Sequence, residues 1–356
     1  MPTPAFVPLL PRLALLLALC LTASPGHAAK APDGDPLPAR HDCEQARRLP
    51  PDADDDARRI ACEIPEKYQL DVSMAEFVGR LIRLHDVAAW RTTDALLAAG
   101  AFESVPGEGR GWLTYARENS VEVRYFTQDA GRLLAFAAGD LDIDAVKATH
   151  ARRLSPMEPA TERELRLITA RDSALATPDL SVCTNHTPNV VVIESEEEGV
   201  DEILVFVMSA WKDNSEAPLG GFHMFRYSHD GQTQLSQYSQ TRSCPVVDLD
   251  IPSPAGADGL GVTHLTSATP TMFHVFLNLQ YGQPLFVVTT QNGLHWRVED
   301  GRIHVVHQGT PDKSTPDKSA PDQGTPPPLE GEPTDAANDH EDTPGDAGPA
   351  THAGAS

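Results

Sequence analysis

The arrangement of cysteines behind an N-terminal leader constrains the fold most. The chain opens with a weakly basic stretch containing Arg12, an apolar run of about ten residues, "LALLLALCLTA", and small residues at Gly26 and Ala28. That is the layout of a secretory signal peptide over residues 1–28. A lipid anchor on Cys20 is disfavoured, because Leu19 stands where that signal needs a small residue. The apolar run falls short of the roughly 20 residues that cross a bilayer, and the run at 203–211 is about half that length, so no membrane span is expected. Behind the leader remain Cys43, Cys62, Cys183 and Cys244, an even set that an oxidising compartment turns into bridges rather than metal ligands or free thiols. Of the three pairings, Cys43–Cys62 and Cys183–Cys244 keep each bridge within one compositional block. Closing the first loop, of about 20 residues, restricts the unfolded chain by roughly 3 kcal/mol in the entropy account. A covalent clip thus explains how "CEQARRLPPDADDDARRIAC", with hardly a greasy side chain, is held in place.

Composition divides the rest. Residues 29–42 read as a flexible linker, 43–66 as the disulfide-clipped acidic segment, 67–178 as an α+β domain, and 179–307 as an antiparallel β-rich domain. Residues 308–356 hold ten acidic side chains against Lys313 and Lys318, with Pro, Gly and Ala around them. Such a tail buries too little surface to offset the entropy of ordering and is expected to be disordered. The whole chain has a formal net charge of −23, which repels a phosphate backbone or an anionic leaflet, so nucleic acid is excluded as a partner.

In the first half, Ser73 and Glu76 have capping-box spacing, and Phe77, Val78, Leu81, Ile82 and Leu84 recur on one face, which predicts a helix over 74–85. "WRTTDALLAAGAF" predicts a second short helix that stops at Gly100. "WLTYAR", "VEVRYFT" and "RLLAFAAG", separated by turn residues, predict a three-stranded meander, and Thr161 and Glu164 open another helix. Beyond Pro178 come short apolar runs between turns, including "NVVVIES", "EILVFVMSAW", "GFHMFRYS", "MFHVFLNL", "PLFVVTT" and "LHWRVE". Asp-Gly in "SHDGQT" and "VEDGRI" and Asn-Gly in "TQNGLH" are hairpin signals. The fold class is therefore α+β, with helices and a small meander in the first half and an antiparallel sheet or sandwich in the second.

Catalytic signatures fail by inspection: GxSxG, HExxH, GxxxxGK[ST] and GxGxxG are absent. "SAWK" matches the SxxK pattern, but it closes a strand, where Ser209 and Lys212 point to opposite faces. Asp52, Asp54, Asp56 and Glu63 occupy positions one, three, five and twelve of an EF-hand-like calcium loop. Ala57 in place of the turn glycine, and Pro50–Pro51 in place of an entering helix, argue against it and for a solvated acidic run. Neither a metal nor another cofactor is expected. His295 shares a face with Arg297 and His304 with Arg302, which turns both to water, whereas His223 lies with Phe225 and Tyr227 and His274 with Met272 and Phe276. If a pocket exists, His223, Tyr227, His274 and Trp296 are its candidate lining. Asn185–His186–Thr187 is a formal glycosylation sequon.

These observations point to an exported protein, periplasmic or secreted, that binds a protein or envelope component. A hydrolase whose acids and bases meet only in the fold is the first alternative. A structural or assembly factor with an acidic tail is the second.

Overall fold

A computed structural model describes residues 43–197, 200–210, 215–241, 243–250 and 259–306. The expected leader, linker and acidic tail lie outside these residues. Both bridges are present, Cys43–Cys62 with Cα atoms 5.6 Å apart and Cys183–Cys244 with Cα atoms 4.9 Å apart. Among the described residues no helix is long and apolar enough to cross a membrane.

The clipped segment is helical rather than looped. In α1 (Asp55–Glu63) the Asp54 carboxylate accepts a hydrogen bond from Ala57 N at 2.7 Å, and Asp55 and Asp56 complement the positive end of the helix dipole. Pro65 then opens α2 (Glu66–Ala98), whose 33 residues extend about 50 Å. The two short helices expected over 74–85 and from Trp90 to a stop at Gly100 are thus one. Nothing between them breaks the pattern, and Ser73 turns its hydroxyl back to Gln69 O instead of capping. The stop expected at Gly100 is present: Gly100 has φ of 65°, and Ala101 N and Gly100 N reach Leu96 O and Leu97 O in a Schellman arrangement.

The meander has four strands, not three: β1 (Glu108–Ala116), β2 (Ser120–Asp129), β3 (Arg132–Asp142) and β4 (Lys147–Pro159), in that order and antiparallel. Polar, charged β4 gave no apolar alternation by which to be recognised. After it comes α3 (Glu162–Leu175), opened by the Thr161–Glu164 capping box.

The second half begins with β5 (Asn189–Glu197), β6 (Val200–Met208) and β7 (Glu216–Pro218), followed by β8 (His223–Ser228), β9 (Gln234–Ser239) and β10 (Val246–Asp248). It ends with β11 (Leu260–His264), α4 (Met272–Tyr281), β12 (Leu285–Thr289), β13 (Leu294–Glu299) and β14 (Arg302–Val305). Strands β5-β6-β8-β9 form one antiparallel sheet, β7 and β10 a two-stranded ribbon, and β11-β12-β13-β14 a third sheet. The three expected hairpin turns join β8 to β9, β12 to β13 and β13 to β14. One expectation fails here: "MFHVFLNL" is the helix α4, and it carries the chain from β11 to β12, which run parallel. Residues 273–278 are all buried, so neither period could be read from them.

The β5-β6-β8-β9 sheet is buried on both faces. Val191, Phe206 and Met208 enter a first core with Tyr68, Val72 and Ile82 of α2, Phe273 and Phe276 of α4, and Trp296 and Val298 of β13. Val190, Val192, Val205 and Phe225 enter a second core with Leu167 and Ile168 of α3 and Leu113 and Phe126 of the meander. The distal half of α2 covers the other face of the meander through Ala88, Ala89 and Leu96. The boundary expected near residue 178 therefore separates compositions but not cores, since the first two cores draw on both sides of it. Where α2 crosses α4, a Cβ on Gly79 would stand 2.5 Å from Val275 Cβ and 2.6 Å from Met272 O, so only glycine permits this approach.

Candidate functional site

The four residues expected to line a pocket do not form a shared one. Tyr227 is sealed in the second core and Trp296 in the first, where its Nε1–H donates to Thr289 Oγ1 at 2.9 Å. His223, 3% exposed, donates from Nε2 to Ser181 O at 2.7 Å and accepts from Ser239 Oγ at Nδ1. Burial lowers its pKa, and the Ser181 carbonyl opposes that shift. His274 sits on α4 rather than on a strand, so the alternation that grouped it with Met272 and Phe276 does not exist.

What His274 meets is His264, at the end of β11, with ring centroids 4.8 Å apart and the rings perpendicular. His274 Nδ1 accepts from Thr271 N at 2.9 Å, which closes the first turn of α4 and places its proton on Nε2. Ser267 Oγ donates to Thr269 O, which leaves its lone pair for the Nε2–H of His264 at 2.7 Å. Thr266 Oγ1 connects this pair to the second sheet, lying 2.8 Å from Tyr238 OH and 3.3 Å from His264 Nε2. Burial holds His264 down at about 4 and His274 well below the ordinary value, the neighbouring imidazole adding to the latter. Both rings are neutral at pH 7 and enclosed by hydrogen bonds.

A second buried cluster ties the clipped segment to the body. Arg59 Nη2 donates to Glu76 Oε1 at 2.7 Å, Arg59 Nη1 to Ile303 O at 2.7 Å, and Ile303 N to Glu76 Oε1 at 2.6 Å. Around it, Glu63 faces His304 Nδ1 at 3.0 Å and Asp56 pairs with Arg302. The face expected to turn Arg302 and His304 to water is thus partly covered by α1, and both side chains stay half-buried. The four acids with calcium-loop spacing are placed apart by these elements. Asp54 caps α1, Asp56 pairs with Arg302, Glu63 meets His304, and Asp52 is exposed in the preceding turn. Among the described residues no three His, Cys, Asp or Glu side chains are placed to hold a metal.

The remaining chemical groups are also engaged. Ser209 accepts from Cys183 N and donates to Gly221 O, a strut beside the second bridge, while Lys212 lies outside the described residues. His85 contacts Thr114 Oγ1 at 2.6 Å and is held at about 4 by burial. Asp86 is pushed up to about 6 by burial, with Arg83 at 3.2 Å opposing the shift. A depression of about 200 Å³ is lined by Asn278, Leu279, Gly282, Pro284, Glu299 and Asp300, but both Asn278 polar atoms are committed, to Gln283 O and Gly301 N. It is smaller than an ordinary small-molecule site.

Sequence reasoning missed both buried clusters. The first had one legible signal, the threonine of "PTMFH" three residues before a side chain able to cap, ahead of an apolar run. The second had none, because Arg59 and Glu76 meet Ile303 across more than two hundred residues. Comparison with family models, with curated proteins and with solved structures finds no match to this chain.

Proposed function

We propose that this protein is an exported interaction module that engages a protein or envelope component. The observation that carries this reading is the exposed apolar side chains of α2, which stand on two opposite sides of the helix, Leu70 with Met74 and Trp90 with Leu97. Leu70 and Met74, one turn apart, are 74% and 51% exposed, and Trp90 and Leu97 further along are 49% and 59% exposed. A rigid helix that holds large apolar side chains in water offers anchors of the kind that interfaces bury. The two bridges support an oxidising compartment, and the charge of −23 supports a partner other than nucleic acid. Immobilised mature protein is incubated with its native envelope fraction, beside variants carrying Leu70→Glu with Met74→Glu, and Trp90→Glu. Retention of a partner by the wild type and its loss from at least one variant supports the reading. An identical retained set on all three columns overturns it.

A hydrolase is the second reading, favoured by Asp86, whose pKa near 6 suits proton transfer at neutral pH. Turnover of ester, peptide or glycoside substrates that Asp86→Asn abolishes, while the variant still unfolds cooperatively, would put it first.

A further inference from the structure

The strands that end the sheets are finished differently. On β14, Ile303 N and O are taken by Glu76 and Arg59, and on β1, Arg110 is tied to Asp172 of α3. β4 is open but carries exposed Lys147, Arg152 and Arg153, and its register with β3 shifts twice. Charge and irregularity are the usual guards of a free edge. Among the described residues, edge strand β9 pairs only with β8, and "QLSQYS" contains no charge and no proline. Its single irregularity falls at its start, between the partners of Arg226 and Tyr227.

The ladder phase says which groups are open. Gln240 N donates to Phe222 O, so the hydrogen-bonded pairs with β8 are Gln240–Phe222, Tyr238–Met224 and Ser236–Arg226. The N–H and C=O of Gln237 and Ser239 therefore point outward, and among the described residues no second strand meets them. Such groups accept an extended backbone and little else.

We propose that β9 is a self-association edge, at which two copies of this chain pair antiparallel about a two-fold axis through Tyr238 to make one eight-stranded sheet. That register sets Gln237 of each copy against Ser239 of the other and forms about four hydrogen bonds, with Tyr238 beside its counterpart in a close, non-hydrogen-bonded pair. Charge selects the occupant. A chain of net charge −23 repels its copies over most of its surface, and this edge brings no like charges face to face. The same strand also supplies, by symmetry, the outward groups that it lacks partners for.

The contact is small, at the low end of specific interfaces, so the association is weak. Sedimentation velocity of the full mature chain from about 1 μM to about 1 mM should show a monomer–dimer equilibrium that added salt strengthens, since screening weakens repulsion between the acidic bodies. Gln237→Pro removes an outward N–H without touching the β8 ladder and should weaken dimerisation by at least about tenfold. Amide exchange in the wild type provides a readout independent of any variant. Gln237 and Ser239 should gain protection with rising concentration, while Lys147 and Arg152 on the guarded edge do not. A monomer at every concentration, or a dimer in which the Gln237 and Ser239 amides exchange as in the monomer, overturns the proposal.

Discussion

Arg59–Glu76 and His264–His274 are both nearly sealed from water, yet one cluster is built from opposite charges and the other from neutral rings. The arginine and the glutamate are each about 4% exposed and share three hydrogen bonds with one another and with the backbone of Ile303. Reciprocal bonding of that kind is the condition under which a buried ion pair holds together against its desolvation cost. A backbone amide donating to Nδ1 requires a neutral His274, whereas His264 donates its Nε2–H to a serine oxygen and is kept neutral by burial. The first cluster locks α1 and its bridge to α2 and β14, and the second locks the loop that opens α4. Buried polarity therefore fastens two peripheral pieces to the first core by opposite electrostatic strategies.

The ionic cluster should break hardest. Glu76→Ala leaves Arg59 buried and unpaired, which is expected to cost about 3–5 kcal/mol in denaturant unfolding. Replacing both residues at once, Arg59→Met with Glu76→Leu, should cost less than Glu76→Ala alone, because no charge is stranded. A double variant weaker than the single one would mean that the pair acts chiefly through the Ile303 backbone rather than through charge.

Acid should open the neutral cluster. His264 has a pKa near 6.5 in the unfolded chain and about 4 in the fold, so protons favour the unfolded state between these values. Its contribution is present in full above pH 6.5 and is lost as pH falls toward 4, which amounts to about 3 kcal/mol for this group. His85 acts in the same window and direction. Asp86 acts oppositely: its folded pKa of about 6 exceeds 3.8, so it weakens the fold at neutral pH and the penalty fades as pH drops from 6 to 3.8. Urea midpoints from pH 7 to pH 4 should fall, less steeply for His264→Gln and more steeply for Asp86→Asn. A wild-type midpoint that rises on acidification would put the balance with Asp86.

Gly79 joins the two clusters, one turn from Glu76 and packed against the residues of α4 that flank His274. Gly79→Ala must part α2 from α4 or bend one of them, an overpacking cost of about 1–3 kcal/mol. If the clusters are coupled through this seam, its cost in a cycle with Glu76→Ala will depart from additivity. Strict additivity would make them independent fasteners.

How much of this was legible depended on range. The bridges, the Thr161–Glu164 cap, the stop at Gly100 and the three hairpin turns each arise from residues close in sequence or from covalent arithmetic, and each is present. The helix α4 was lost because a segment buried on every side has no polar face to give it a period. The β4 strand was lost for the converse reason, since charges that guard an edge remove the apolar alternation. The proposed pocket failed with α4: once His274 left a strand for a helix, its companions became His264 and Thr271, which no spacing rule connects to His223.

The smallest expected effect concerns the link between the neutral cluster and the second sheet. Thr266 Oγ1 donates to Gln240 O and lies between Tyr238 OH and His264 Nε2. Thr266→Val keeps the shape and removes the hydroxyl, so the loss should be about 1 kcal/mol, the ordinary net value of such bonds. The more telling readout is its pH dependence. If the hydroxyl affects the His264 titration, the midpoint of the acid transition will move while that of Glu76→Ala stays in place. A uniform loss at every pH would make Thr266 a plain strut, and the difference between the ionic and the neutral cluster would then rest on the histidines and Ser267 alone.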